Sequence, residues 1–163
     1  MKNKNKKIKE IVKKELSCSA HDFNHTQRVY NICLKIAENK DVDLEVLKLS
    51  ALLHDIARVE EDNDSTGKID HAVLGAKKAE KILKDLNFEE DKIKKIKSCI
   101  LSHRYKNNYE PDLEEAKILF DADKLDVLGA VGVARSFVWV GRNNANIYRE
   151  VDIDDFCKNL NFL

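Results

Sequence analysis

Proline and glycine are scarce in this chain, which has one proline and five glycines among 163 residues. An all-β fold needs frequent turns, and those turns depend mainly on proline, glycine and short polar residues. Because 43% of the residues are apolar, the composition favours long uninterrupted helices instead. We therefore predict an all-α fold, in which residues 1–163 form a single-domain helical bundle, since this length fits one compact domain.

Clustered cysteines are also missing. The four cysteines, Cys18, Cys33, Cys99 and Cys157, are far apart and form no CxxC pair. Two of the four stand inside apolar helical patterns. This spacing argues against a zinc finger or an iron–sulfur cluster. Reduced thiols in apolar patterns behave as small hydrophobic groups, which suits a reducing compartment. We expect a cytoplasmic protein.

Neither an excess of charge nor a long apolar run is present. The 29 basic and 29 acidic side chains cancel, so no overall field would attract a polyanion or an anionic membrane surface. Nucleic acid is therefore not an expected partner. The amino-terminal lysines precede no long apolar segment, which predicts neither a signal peptide nor a membrane span. Oligomeric state is not fixed by the sequence, and a homodimer stays open.

Apolar residues recur at three- and four-residue intervals, which predicts a series of amphipathic helices. We expect a marginal lysine-rich helix from about Lys4 to Leu16, aspartate caps at Asp22 and Asp70 for two later helices, and a further helix that begins near Asp43. The helix after Asp43 is apolar on nearly all sides, as is typical of a central helix. The polar stretch from Glu60 to Ile69 predicts a long loop that could act as a flexible flap.

The carboxy-terminal part is predicted to begin with one long helix after Pro111, whose inner apolar stripe extends through Val127 to Ala134. The remaining residues, which include Trp139, are interpreted as a turn followed by a short closing helix within Val151 to Leu163. We expect these parts to complete the core.

Polar residues interrupt the predicted inner faces of five different helices. They are His25, His54, His71, His103 and Asp123. A buried imidazole must satisfy two ring nitrogens, and a buried carboxylate is costly unless it is paired or bound to metal. Each residue alone could be a cap or a hydrogen-bonded core residue, but their convergence requires a common partner.

A divalent cation is the partner that this chemistry favours. Imidazole and carboxylate are good ligands for Mn²⁺, Fe²⁺, Co²⁺, Ni²⁺ or Zn²⁺, with Mg²⁺ also allowed and Ca²⁺ less suited. Asp55 directly follows His54, and neighbours about 100° apart around a helix can both reach one cation at its edge. Such an ion would activate a bound water molecule for hydrolysis.

The order of these residues resembles the HD-domain metal-dependent phosphohydrolases, whose pattern is a histidine, a His-Asp doublet and a later aspartate on successive helices. The resemblance spans about residues 17–137, and three segments carry it: His21-Asp22-Phe23-Asn24-His25-Thr26-Gln27-Arg28-Val29, Leu52-Leu53-His54-Asp55-Ile56 and Asp121-Ala122-Asp123-Lys124-Leu125-Asp126. Each segment is short, but in this order they are specific. The resemblance implies a helical bundle of the HD-domain type.

It also implies a set of metal ligands. The first ion would be held by His25, His54, Asp55 and Asp123, with Asp121 as a rival for the last place because both aspartates fit an apolar stripe. Some members of the family hold a second ion through two further histidines. His71 and His103 occupy such places here, and Asp55 would then bridge both ions. We expect one ion and allow a second.

Cationic side chains close in sequence to these ligands are candidates to bind a phosphate. Arg28 lies one turn from His25 and Arg58 one turn from His54, while Lys124 adjoins Asp123. We assign substrate binding to Arg28, Arg58 and Lys124, and catalytic roles to Asp55 and Lys124. Arg135 is a weaker candidate, interpreted more often as ordinary solvated surface.

The chain departs from the family pattern directly after the doublet. Certain members have an acidic residue there that assists the attacking water, whereas this chain has Ile56, Ala57 and Arg58. Glu60 and Glu61 come later in the sequence, and we expect them to be too far away to assist the attacking water.

The family hydrolyses nucleotide monophosphates, nucleoside triphosphates, cyclic or linear diesters and alarmones, so the resemblance implies a small-molecule phosphate substrate without selecting one. Analogy with small stand-alone members favours a nucleotide, cleaved as a phosphomonoester or with release of pyrophosphate. The alternative is a non-catalytic module that holds a nucleotide or a partner around a structural metal.

Overall fold

A computed structural model of the chain describes residues 2–16, 22–104 and 109–148. These residues form eight α-helices and contain no strand, which confirms the all-α prediction. The helices are α1 (Lys2–Glu15), α2 (Phe23–Ile36), α3 (Leu44–Leu53), α4 (Arg58–Asn63), α5 (His71–Asp85), α6 (Glu90–Ser102), α7 (Glu114–Leu125) and α8 (Gly129–Arg142). Among them, none has the length and apolar character needed to cross a bilayer. The closing helix predicted after Val151 falls outside the described residues, as do Cys18 and Cys157.

Aspartate side chains cap the first turns of three helices, as predicted for Asp22 and Asp70 and found in addition for Asp43. Asp22 accepts a hydrogen bond from the backbone N–H of His25, and Asp43 and Asp70 each accept two from the first turns of α3 and α5. A free N–H at a helix start is costly when buried, so these caps fix the first turn of each helix. In α2 and α5 that turn carries His25 and His71.

Helix α3 forms the centre of the bundle. Seven of its ten residues are buried, and it packs against α1, α2, α6 and α7. Helix α1 buries Ile8, Val12 and Leu16 against this core. Each such side chain contributes about 1.5–3 kcal/mol when it is removed from water, which explains how a lysine-rich segment with weak intrinsic stability stays helical.

The expected loop from Glu60 to Ile69 is wrong in its first part. Residues up to Asn63 belong to the short helix α4, which is held by ion pairs from Arg58 to Glu61 and Asp62 at three- and four-residue spacing. No apolar periodicity marks this helix, and so the pattern missed it. The turn that follows is ordered by Asp64, whose carboxylate accepts hydrogen bonds from three backbone N–H groups.

The single long helix predicted after Pro111 is also wrong, because it is two helices. Helix α7 ends at Leu125, and α8 begins at Gly129, which has a φ of 74°. This left-handed conformation suits glycine and cannot continue an α-helix. The expected inner stripe therefore stops before Val127, which is exposed together with Ala134.

Helix α8 does not complete the core. Gly132 is the one buried residue of this helix, all of which is described. Five of its large apolar side chains are exposed by 42 to 55% of their area: Val131, Val133, Phe137, Val138 and Trp139. The expectation that this part of the chain fills the core is thus wrong for the described residues.

Candidate metal centre

The structure brings the six predicted metal ligands into one cluster. His25 lies in the first turn of α2, His54 and Asp55 directly follow α3, His71 begins α5, His103 follows α6 and Asp123 lies in the last turn of α7. The four histidines and Asp55 are each 5% exposed or less. Most residues of the cluster thus lie at the ends of helices, next to the core.

The Nε2 atoms of the four histidines form two close pairs around Asp55. His25 and His54 approach with Nε2 atoms 3.4 Å apart, and His71 and His103 approach to 3.2 Å. Oδ2 of Asp55 lies 3.5 and 3.6 Å from the first pair. Oδ1 lies 3.4 and 3.7 Å from the second pair. One carboxylate therefore stands between two imidazole pairs.

Hydrogen bonds on the outer ring nitrogens determine where the inner lone pairs point. Every Nδ1 lies 2.6 to 2.9 Å from an oxygen that carries no hydrogen, in the pairs His25–Asp126, His71–Glu61, His54–Ala51 O and His103–Ile100 O. Each Nδ1 must therefore donate, which leaves a lone pair on Nε2 of every neutral ring. Two facing lone pairs repel unless a proton or a cation lies between them.

The charge states of the first pair differ. Burial lowers the pKa of a histidine, but in His25 the carboxylates of Asp123, Asp126 and Asp55 outweigh it and raise the pKa to about 10. In His54 burial prevails and lowers the pKa to about 4. A proton on His25 thus balances the carboxylates when no cation is bound, and the imidazole of His54 is neutral and able to act as a ligand.

Both carboxylates of the cluster are ionised. Burial opposes ionisation of Asp55 and Asp123, but neighbouring histidines, among them His25 through a hydrogen bond to each carboxylate, hold the pKa of both well below the ordinary value. Ionised carboxylates beside unprotonated imidazole nitrogens are the donor set that borderline divalent ions prefer.

Asp123 rather than Asp121 reaches the cluster. Oδ1 of Asp123 lies 3.3 Å from Nε2 of His25 and 3.9 Å from Nε2 of His54, whereas Asp121 is exposed. The side chain of Asp123 is 21% exposed. It lies on a side of the cluster that opens toward solvent.

The donors fit one or two ions. His25, His54 and Asp55 offer three ligand atoms within 4.8 Å of one another, and so do Asp55, His71 and His103. Three or four protein ligands per ion leave coordination positions for water and phosphate, as catalytic metal sites require. The role of each residue as a ligand remains a prediction.

Asp126 is the last residue of the third motif segment, and no role is predicted for it from the sequence. Its carboxylate is 3% exposed and accepts hydrogen bonds from His25 at 2.7 Å and from Nε and Nη2 of Arg28 at 2.7 and 3.0 Å. Burial would raise its pKa, but His25 and Arg28 lower it to about 2. Asp126 lies one helical turn after Asp123, and that spacing is the signal that could have identified it.

Glu61 plays the equivalent part for His71. It accepts a hydrogen bond from Nδ1 of His71 at 2.7 Å and ion pairs with Arg58 and Arg104. These partners outweigh burial and lower its pKa to about 2. Helix α4 thus brings Glu61 to His71. Glu61 contacts the outer ring nitrogen of His71, and the expectation that it is too far away to assist an attacking water stays a prediction.

The predicted phosphate-binding side chains surround the cluster and contact its residues. Arg28 binds Asp126, and Arg58 binds Glu61 at 2.7 Å. Lys124 donates to the carbonyl oxygen of His103 at 2.7 Å and to Asp123 at 3.0 Å. Their contact with substrate remains a prediction. Arg135 is not ordinary surface, because its side chain is 16% exposed and it pairs with Asp126.

Comparison with known proteins identifies the class. The family model described as HD domain matches residues 22–128, and the chain belongs to this family. The resemblance to HD-domain metal-dependent phosphohydrolases, predicted from the motifs, is confirmed.

Two relatives illustrate the match, one of them by both its sequence and its crystal structure. The uncharacterized protein YpgQ of Bacillus subtilis (strain 168) is 31% identical over 137 residues, which cover 80% of this chain and 62% of YpgQ. A predicted HD superfamily hydrolase from an uncultured Thermotogales bacterium has a crystal structure with a TM-score of 0.70 and 36% identity, covering 82% of this chain and 74% of that one. The crystal structure of YpgQ in complex with ADP has a TM-score of 0.67 and 26% identity, covering 90% and 72%. The chain thus spans less than two thirds of the length of the curated relative YpgQ.

Proposed function

We propose that this chain is a divalent-metal-dependent phosphohydrolase that acts on a nucleotide, either by cleaving a phosphomonoester or by releasing pyrophosphate from a nucleoside triphosphate. The observation that carries the proposal is the convergence of four histidine Nε2 atoms on the two oxygens of Asp55, at 3.4 to 3.7 Å. An ionised carboxylate between imidazole nitrogens favours a bound cation, which would take the place of the proton on His25.

The residues have separate tasks in this proposal. His25, His54, Asp55 and Asp123 hold the first ion, and Asp55 shares a second ion with His71 and His103. A bound divalent cation lowers the pKa of coordinated water and neutralises charge on the phosphate. Asp126 and Glu61 keep their imidazoles in the orientation and tautomer that binding requires.

Lys124 is proposed to bind the phosphate directly. Its ammonium group lies beside Asp123 at 3.0 Å, and its side chain is 37% exposed. A cation that is both next to the metal ligands and open to solvent can donate to a phosphate oxygen and stabilise the charge that develops on it.

Two features support a nucleotide as substrate. YpgQ, which shares 31% identity with this chain, was crystallised with ADP. In addition, Arg28, Arg58 and Arg135 stand around the cluster, and arginine is well suited to phosphate groups. Transfer of the ligand from YpgQ to this chain is part of the proposal.

A non-catalytic module with a structural metal is the second candidate. It is favoured by the engagement of the surrounding cations, since the same three arginines all pair with carboxylates of the protein. In such a module the metal would bind without turnover.

The two candidates are separated by a panel of nucleoside mono-, di- and triphosphates incubated with Mn²⁺, with and without a chelator. We expect release of phosphate or pyrophosphate that the chelator and His54→Ala both abolish. Asp121→Asn is the matched control, because Asp121 lies in the same helix as Asp123 but is exposed. Metal binding without release would support the module. Turnover that survives both the chelator and His54→Ala would overturn the phosphohydrolase.

A further inference from the structure

We propose that a pocket beside the metal centre binds the nucleobase of the substrate, with Trp139 stacked on the ring. The pocket lies between α4 and α8 and has a volume of about 250 Å³. Its walls include Arg58, Val127, Arg135, Trp139 and Val140. The assignment rests on the proposed function, because the base and the reacting phosphate belong to one substrate.

The two arginines connect this pocket to the metal centre. Nη1 of Arg58 lies 3.1 Å from Nδ1 of His71. Arg135 pairs with Asp126, which in turn accepts the hydrogen bond of His25. Each arginine is therefore at most one side chain away from a predicted metal ligand. A nucleotide with its phosphate at the cluster can extend past them, so that its base enters the pocket.

The size and walls of the pocket suit one ring system. Its volume lies below the roughly 300–1,000 Å³ of pockets that enclose a whole drug-sized ligand. Two valines and the indole of Trp139 supply apolar surface, and both arginines supply planar cationic groups. Stacking of a base on an aromatic side chain changes affinity by roughly 5- to 150-fold and accepts every base.

Helix α8 presents the pocket residues on one face. Gly132, Arg135, Ser136, Trp139 and Val140 follow one another at helical spacing. A Cβ at position 132 would overlap the carbonyl group of Val127. Glycine at this position therefore permits the first turn of α8 to pack against the backbone of Val127. The other exposed apolar residues of α8, such as Phe137, do not line the pocket, which separates the pocket from the general apolar character of the helix.

Polar groups border the same indole. A smaller cavity of about 70 Å³ is lined by Trp139 together with Asp62, Arg142 and Asn143, and Asp62 also pairs with Arg58. A carboxylate and an amide next to a stacking surface can accept and donate hydrogen bonds at the edge of a base. The surroundings of Trp139 thus combine a stacking face with polar groups, as base recognition requires.

Trp139 is the only tryptophan of the chain, so its fluorescence reports on the pocket directly. Metal-loaded protein is titrated with ADP, with inorganic pyrophosphate and with ribose 5-phosphate, and excited where tyrosine does not absorb. We expect a saturable change in emission with ADP alone. By calorimetry, Trp139→Ala should weaken ADP binding by roughly 5- to 150-fold without changing the affinity for pyrophosphate.

Two further variants control for folding and for general apolar contacts. Trp139→Phe keeps an aromatic ring and should retain part of the affinity for ADP. Phe137→Ala removes an exposed aromatic side chain from the same helix, outside the pocket, and should bind ADP as the wild type does. Equal losses in Phe137→Ala and Trp139→Ala, together with a change of oligomeric state in sedimentation, would identify α8 as a protein contact and overturn the inference.

Failure of this inference is distinguishable from failure of the proposed function. Hydrolysis of nucleotides with no response of Trp139, or with unchanged ADP affinity in Trp139→Ala, overturns the base pocket and leaves the phosphohydrolase intact. A response of Trp139 without hydrolysis supports the pocket and overturns the enzymatic proposal in favour of a binding module.

Discussion

His25 and Asp126 lie 101 residues apart in sequence, yet Nδ1 of the imidazole donates to Oδ2 of the carboxylate at 2.7 Å in a buried hydrogen bond. This bond fixes the orientation of the His25 ring and directs its Nε2 toward Asp55. Arg28 donates to both oxygens of the same carboxylate, and Arg135 donates to Oδ2. Asp126, which directly follows α7, therefore links that helix to α2 and α8, and it contacts His25, one of the predicted ligands.

The first prediction follows from this bond. Asp126→Asn keeps the shape of the side chain but removes the negative charge that holds His25 in place. Loss of such a partner lowers metal affinity about 10- to 100-fold in comparable sites. We expect a decrease in this range in a calorimetric titration with Mn²⁺ or Zn²⁺. Asp121→Asn, an exposed site in α7, should bind metal as the wild type does. Equal affinities in the two variants would show that Asp126 does not position the ligand.

The second prediction concerns the sharing of Asp55. Because its two oxygens face different imidazole pairs, Asp55→Ala should lower the metal content more than His54→Ala or His103→Ala does, when each is measured by elemental analysis of the purified protein. We also expect His54→Ala and Asp55→Ala to abolish turnover. Full activity and full metal content in His54→Ala would contradict the ligand assignment.

Sequence patterns predicted which residues converge on the cluster for a physical reason. A histidine or aspartate inside an apolar helical stripe, such as His71 or Asp123, destabilises the fold unless a partner satisfies it, so its position is visible in one sequence. Among the residues that orient the imidazoles, Glu61 carries no such signal. Glu61 reaches His71 from the neighbouring helix α4, which is built on ion pairs and lacks apolar periodicity.

The prediction of the carboxy-terminal helices failed because a local conformation overrode a continuous pattern. The apolar spacing continues from α7 into α8, but Gly129 has a φ of 74°, which interrupts the helix between them. The change of direction places Arg135 on Asp126 and Trp139 beside Arg58. Neither contact follows from spacing along one straight helix.

The third prediction addresses Lys124. Removing its ammonium group should raise KM for the nucleotide about tenfold or more, since a charge-assisted hydrogen bond contributes about 1.5–3 kcal/mol. Metal content should not change, because the lysine is not a ligand. Lys117→Ala is the control, since Lys117 lies in the same helix and pairs with Glu114 at the surface. If Lys124→Ala lost metal together with activity, the lysine would instead hold Asp123 in place.

The fourth prediction concerns pH. Carboxylates raise the pKa of His25 from 6.5 to about 10, in spite of its burial. In the metal-free protein this proton stabilises the fold fully below the unfolded value of 6.5, and the contribution is lost as the pH rises through about 10. A cation must displace the same proton, so metal affinity should increase with pH below that value.

Calorimetry in two buffers of different ionisation enthalpy measures the effect. We expect about one proton to be released for the first ion near neutral pH, with an affinity that increases by up to about tenfold per pH unit. His54 contributes no proton there, because burial lowers its pKa to about 4. Metal binding with no proton release between roughly pH 7 and 9 would show that His25 is not the residue displaced.

The fifth prediction compares two glycines of α8. A Cβ at Gly132 would overlap the carbonyl group of Val127, whereas a Cβ at Gly141 meets nothing within 4 Å. Gly132→Ala should therefore shift the first turn of α8 and lower the free energy of unfolding by about 1–3 kcal/mol. Gly141→Ala should raise it by up to about 1 kcal/mol, because alanine loses less conformational entropy in a helix.

Urea unfolding monitored by Trp139 emission measures the free energy of unfolding of both variants. The emission of the folded protein should change in Gly132→Ala alone, since only that substitution moves the helix against Val127. Changes of the same sign and size in the two variants would mean that the close approach at Gly132 does not hold α8 in place.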